Sequence, residues 1–163
     1  MQRVIKDGQQ VADNWQLLAP DASIEQLPEG QIIVPLSLWQ VHRQQLGTPG
    51  DVGVWLEADQ QIEELCDDLD ALPLIARNFP SFTDGRHYST ARLLRERYGY
   101  QGEIRAIGDI QRDQLFYLKR SGFNAFALRE DQDPAIAIKG LQDFSENYQS
   151  AVGELPLFRR RNG

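Results

Sequence analysis

Five short strand-like runs punctuate the chain at 32–34, 52–56, 72–76, 103–107 and 125–128, and this rhythm constrains the fold more than any other feature. The run Leu72–Ala76 is almost continuously apolar, which is how a strand reads when both faces of its sheet are covered. Between the runs, apolar residues recur at helical spacing. Strands that alternate with helices pair in parallel through right-handed crossovers, so the chain is expected to be an α/β protein of five βα units with a mainly parallel sheet. Five units cannot close a barrel alone, which leaves an open sheet or a half-barrel.

The expected helices follow from periodicity and from their ends. Leu36–Leu46 places Leu38, Val41 and Leu46 on one side. Asp59 is positioned to cap a helix over 60–70, with Ile62, Leu65, Cys66 and Leu69 in register. A helix over 89–98 has Ser89 near its start, a helix over 112–121 is closed by Gly122, and Pro134 opens a last helix over 134–149. Ahead of these units, Asp7-Gly8 lies between short alternating runs and predicts a small N-terminal hairpin within residues 1–18. Residues 19–30, with Pro20, Pro28 and Gly30, form a connecting loop, and 150–163 an irregular tail. The whole of 1–163 is expected to be one α/β domain.

Charge narrows the function. The net charge of −7 argues against nucleic acid and against a membrane surface, since both demand a cationic face. Between Arg77 and Arg120, however, nine basic residues face five acids, so that segment is about +4 and the remainder about −11. A local cationic zone in an acidic protein suits a small anion. Cys66 is the single cysteine, which excludes an internal disulfide and any cysteine-rich cluster. It sits among acids that would raise its pKa, so it is expected to be a buried structural residue. The sequence contains neither a hydrophobic signal core nor an apolar run of membrane-spanning length, and the expected compartment is the cytoplasm.

The chemistry-bearing side chains gather in two polar loops. Phe79–Tyr88 follows the third run and Gly108–Arg112 follows the fourth. In parallel α/β sheets, ligands bind beyond the carboxyl ends of strands, where loops enter helices. If these two strands are neighbours, Thr83, Asp84, Arg86, His87, Asp109 and Arg112 share one rim. Thr83 and Ser89 offer hydroxyls, Gly85 permits close backbone approach, and Arg86 can fork onto an oxyanion such as sulfite, sulfate or phosphate; Arg112 adds a second cation. Asp84, His87 and Asp109 are the groups available for acid–base chemistry. Each has an ordinary structural reading too: Asp84-Gly85 as a turn, Asp84, Ser89 or Asp109 as helix caps, and His87 as a surface residue. His87 has no second histidine at ligand spacing, so no metal is expected.

The segments FTDGRHYSTARLLRERYGY and GEIRAIGDIQRDQLFYLKRSGFNAF, with VPLSLW and GVWLE before them, resemble a bacterial family of unknown function often labelled as an oxidoreductase involved in sulfite reduction. The resemblance covers most of the chain. It implies a role in sulfur assimilation beside sulfite reductase, and it implies no particular catalytic residue. Sulfite reduction is a multi-electron reaction that needs a redox cofactor, while the residues supply no G-x-G-x-x-G after a strand, no P-loop and no cysteine set. A cofactor of its own is therefore not expected. The expectation is an accessory protein of sulfur assimilation that binds a small anion or docks on a partner. The alternative is an oxidoreductase or acid–base enzyme using the same rim with a cofactor supplied by that partner. Exposed sheet edges would favour a homodimer or a stable hetero-complex.

Overall fold

Asp7 and Gly8 turn the chain back on itself, with positive φ angles of 52° and 81°. Positive φ at both central residues gives a two-residue turn the twist that matches its flanking strands. In the computed structural model, which describes residues 3–46, 50–57, 59–79, 89–110, 114–128 and 133–141, these strands are β1 (Arg3–Lys6) and β2 (Gln9–Ala12). There follow β3 (Gln16–Leu17), β4 (Ile32–Pro35), α1 (Leu36–Leu46), β5 (Val52–Leu56) and β6 (Leu74–Phe79). The helix α2 (Ser89–Arg92) widens into a π turn over Leu93–Arg97, and then come β7 (Glu103–Gly108), α3 (Leu115–Ser121), β8 (Ala125–Phe126) and a helix α4 over 134–141.

All eight strands belong to one sheet, in the order β2-β1-β8-β7-β6-β5-β4-β3. The five strands read from the sequence, β4 to β8, lie side by side in chain order and pair in parallel. The sheet as a whole is nevertheless mixed and curls into an open half-barrel. The N-terminal hairpin does not stand apart: β1 pairs antiparallel with β8, through Ile5↔Phe126 and Lys6↔Ala125, and β2 extends that edge. At the other edge β3 adds in parallel to β4, which five βα units did not include. Its two residues are exposed and carry no pattern. It is held by backbone bonds, Gln16 N–H to Gln31 O at 3.0 Å and Leu18 N–H to Ile33 O at 3.0 Å.

Strand periodicity divides the core in two. One face of the sheet presents Val34, Val54, Ile75, Ile104 and Phe126 to the apolar sides of α1 to α4, forming the larger core. The other face carries a smaller cluster of Ile33, Trp55, Leu74, Ala76 and Ile107. The near-continuous apolar character of β4 to β6 follows from this two-sided burial.

Two helical expectations are corrected, over 60–70 and in α1. Residues 60–70 form two short 3-10 turns, Ile62–Leu65 and Leu69–Ala71, rather than one helix. Five acids crowd this segment, where negative charge opposes the carbonyl end of a helix. Asp68 is also drawn into tertiary contacts, accepting from Trp39 Nε1 at 3.1 Å and Arg43 Nη1 at 2.9 Å. Gln61, not Asp59, caps the first turn, in a reciprocal box with Glu64. Cys66 is exposed, because the 3-10 geometry keeps Ile62 and Leu65 inward and turns Cys66 out. In α1, Val41 is 73% exposed, since the helix is interrupted by non-helical angles at His42. The expected helix over 134–149 is seen as 134–141, and its remainder and the 150–163 tail lie outside the described residues. Among the described residues no helix is long and apolar enough to cross a membrane.

Candidate functional site

The pairing of β6 with β7 runs in register from Leu74↔Glu103 to Phe79↔Gly108. Both strands therefore end at the same level, and the loops that follow leave from one end of the sheet. This is the placement the sequence required for a shared rim. Of the residues predicted to form it, Thr83, Asp84, Gly85, Arg86, His87 and Arg112 lie outside the described residues. Ser89 and Asp109 are described.

Ser89 is the first residue of α2 and is exposed. Asp109 is half-buried, and its backbone N–H donates to Phe79 O at 2.8 Å. That bond stitches the starts of the two loops together. It depends on Gly108, whose φ of +94° turns β7 sharply after its last pairing. A methyl group there would come 2.5 Å from the Phe79 carbonyl oxygen and 2.9 Å from the Phe79 nitrogen, so only glycine fits. Just beyond, Ile110 is fully buried and its N–H donates to Gly108 O at 3.1 Å, anchoring the second loop in the core.

Four further polar residues support this end of the sheet and were not picked out from the sequence. Asn78 Nδ2 donates to Glu57 Oε1 at 2.9 Å, tying the end of β6 to the residue after β5. The Glu57 N–H donates to Gln60 Oε1 at 2.8 Å. Arg77, only 6% exposed, donates through Nη1 to Gln60 O. Burial lowers the pKa of its guanidinium, with Asp59 acting in the opposite sense. Thus the segment after β5 is fastened to β6, as the end of β6 is fastened to the segment after β7. The sequence signal was an arginine and an asparagine closing the otherwise apolar run LPLIARNF.

The cationic zone looks different in three dimensions. Arg77 is turned inward. Arg105, on the other face, is 3% exposed and bonds to Glu103 at 2.7 Å and Asp13 at 3.0 Å, while Lys6 reaches Glu103 at 3.1 Å. Arg95 does not face solvent as a free cation. The π turn instead directs it to three carbonyls: Gly122 at 3.2 Å, Tyr100 at 2.8 Å and Gly102 at 2.8 Å. Among the described residues, Arg92, Arg97, Lys119 and Arg120 remain exposed from this segment. Its excess charge is therefore dispersed, and any anion held at the rim relies on the loop residues. Among the described residues, no three His, Cys, Asp or Glu groups come together as a metal site.

A family model described as a bacterial protein of unknown function (DUF934) matches residues 53–158, which include both rim loops. No curated protein matches the chain.

Proposed function

We propose, for a chain that belongs to the bacterial family of unknown function DUF934, a non-redox accessory role in sulfur assimilation. In this reading the protein holds a small oxyanion, sulfite or sulfate, at the rim beyond β6 and β7 and presents that rim to a partner such as sulfite reductase. The reading is carried by one observation: β6 and β7 pair in parallel and end together at Phe79↔Gly108, so FTDGRHYS and GDIQR spring from the same end of the sheet. Arg86 and Arg112 supply the charge, Thr83 and Ser89 supply hydroxyls, and Gly85 permits close approach.

The test is titration of sulfite, sulfate and phosphate into the protein and its Arg86 variants. A hydrogen bond to a charged group is worth about 1.5–3 kcal/mol, so Arg86→Ala should weaken binding roughly tenfold to a hundredfold. Arg86→Lys should recover part of the loss, keeping the charge without the planar fork. If no anion binds the wild type at millimolar concentration, and Arg86→Ala instead lowers the melting temperature by many degrees, Arg86 is a structural tie and the proposal fails. The second reading is an enzyme in which Asp84, His87 or Asp109 moves a proton. Its support is Asp109, half-buried and fixed through its backbone at the rim. Under that reading Asp109→Asn would abolish a partner-dependent turnover while leaving anion affinity nearly unchanged.

A further inference from the structure

At the opposite end of the sheet, where the chain enters β8, five elements border an open cavity of about 290 Å³, with α4 contributing Leu141. The β1–β2 turn contributes Asp7, α3 contributes Lys119, the π turn contributes Arg95, and the segment into β8 contributes Phe123, Asn124 and Phe126. The floor is apolar: Phe123 and Phe126 are 1% and 2% exposed. The walls are charged. Asp7 and Lys119, both exposed, line the same space; among the described residues they form no ion pair with each other within 4.0 Å and neither side chain has a hydrogen-bond partner, while Asp7 lies in the field of Arg95. Asn124 Oδ1 accepts from the Ile104 N–H at 2.8 Å, and its amide Nδ2–H₂ has no partner among the described residues. Arg95 is held beside the cavity by its three carbonyls; burial lowers the pKa of its guanidinium, with Tyr100 and Asp7 acting in the opposite sense. Its position requires the wide turn at Leu93–Arg97, and π turns of this kind concentrate at functional sites.

An acid and a base that share a cavity without meeting leave a gap that a ligand of mixed charge can bridge. We propose that this cavity binds a small zwitterion with an apolar body, of the class of an apolar α-amino acid. The ammonium would sit against Asp7, the carboxylate against Lys119 and the Asn124 amide in the field of Arg95, and the side chain over Phe123 and Phe126. The volume lies just below the range of drug-sized small-molecule sites and suits one amino acid. The inference does not rest on the rim reading, since the two places lie at opposite ends of the strands.

The probes are leucine, methionine and phenylalanine, with 4-methylpentanoate and isoamylamine as leucine analogues that each lack one charge. Binding is followed by ligand-observed NMR and by amide shifts of the labelled protein. The amino acids should bind at millimolar concentration or tighter, with shifts at Phe123, Asn124 and Lys119 and none at Gly108–Ile110. Each one-charge analogue should bind at least roughly tenfold more weakly. Asp7→Asn, chosen because asparagine tolerates a φ of 52°, should weaken leucine but leave 4-methylpentanoate unchanged. Lys119→Met, which keeps the aliphatic stem, should weaken leucine but leave isoamylamine unchanged. Absence of binding, equal affinity for leucine and both analogues, shifts confined to the rim, or indifference to both substitutions would each overturn the proposal. A wild-type-like melting temperature for Asp7→Asn and Lys119→Met is required for those readings. If either variant is unstable, the analogue series on the wild type decides.

Discussion

Gly108 and Gly8 both have positive φ, +94° and +81°, but differ in what surrounds them, and that difference makes a quantitative test of how the rim is built. An alanine at either position bears the cost of a left-handed backbone, about 1–2 kcal/mol. At Gly8 nothing lies within 4 Å of the added methyl, so the backbone term is the whole effect. At Gly108 the methyl presses on the Asn78 carboxamide and on the Phe79 backbone. Relief requires β6 and β7 to part at their ends, and forced overpacking of this kind costs about 1–3 kcal/mol more. The Phe79 oxygen that must move accepts the Asp109 N–H, and the Asn78 side chain that must move holds Glu57. The total for Gly108→Ala is then about 2–5 kcal/mol. With a urea slope of about 2 kcal/mol/M, Gly8→Ala should lower the unfolding midpoint by about 0.5–1 M and Gly108→Ala by about 1–2.5 M. Equal shifts for the two variants would refute the argument that β6 and β7 are locked together by close backbone approach at Gly108.

Two other outcomes follow from buried polar groups. Asp13 and Arg105, with side chains 9% and 4% exposed, join segments far apart in the chain. Asp13→Ala should cost about 3 kcal/mol, as expected for removing one partner of a buried pair. The same change should cost clearly less in a chain already carrying Arg105→Met, and strict additivity in the double-mutant cycle would show that the pair is not coupled. Tyr100 donates its hydroxyl to Leu72 O at 2.7 Å, and burial raises its pKa above the ordinary 10.0, with Arg95 lowering it and Glu103 raising it. In the unfolded chain the phenol ionises near pH 10 while the folded phenol keeps its proton, so its contribution is present below that pH and is lost as pH rises through the folded value. Urea midpoints taken between about pH 8 and about pH 11 should fall more steeply for wild type than for Tyr100→Phe, and parallel curves would remove Tyr100 from the account.

What the sequence determined by itself was everything that rests on local pattern. Asp7-Gly8 can only be comfortable in a left-handed turn, and it makes the hairpin. Gly122 ends α3 at φ +119°, as its place after an apolar-periodic run required. The apolar runs became β4 to β8, and their alternation with covering segments dictated parallel pairing in chain order. Hence the shared end of β6 and β7 was legible before any coordinate, and so was the address of the rim.

Tertiary structure alone decided where the hairpin and the two-residue β3 attach, because both add through backbone bonds at sheet edges and backbone bonds have no sequence signature. It also decided the fate of charge. Arg77, Arg95 and Arg105 read as members of one cationic zone, but each is turned inward: to a carbonyl for Arg77, to three carbonyls for Arg95, and to carboxylates for Arg105. The partners lie 2 to 92 residues away along the chain, so no short window of sequence contains all of them. The cavity beneath β8 was invisible for the same reason. Its acid, its base and its apolar floor come from the first hairpin, the π turn, α3 and β8, and only packing brings them to face one another.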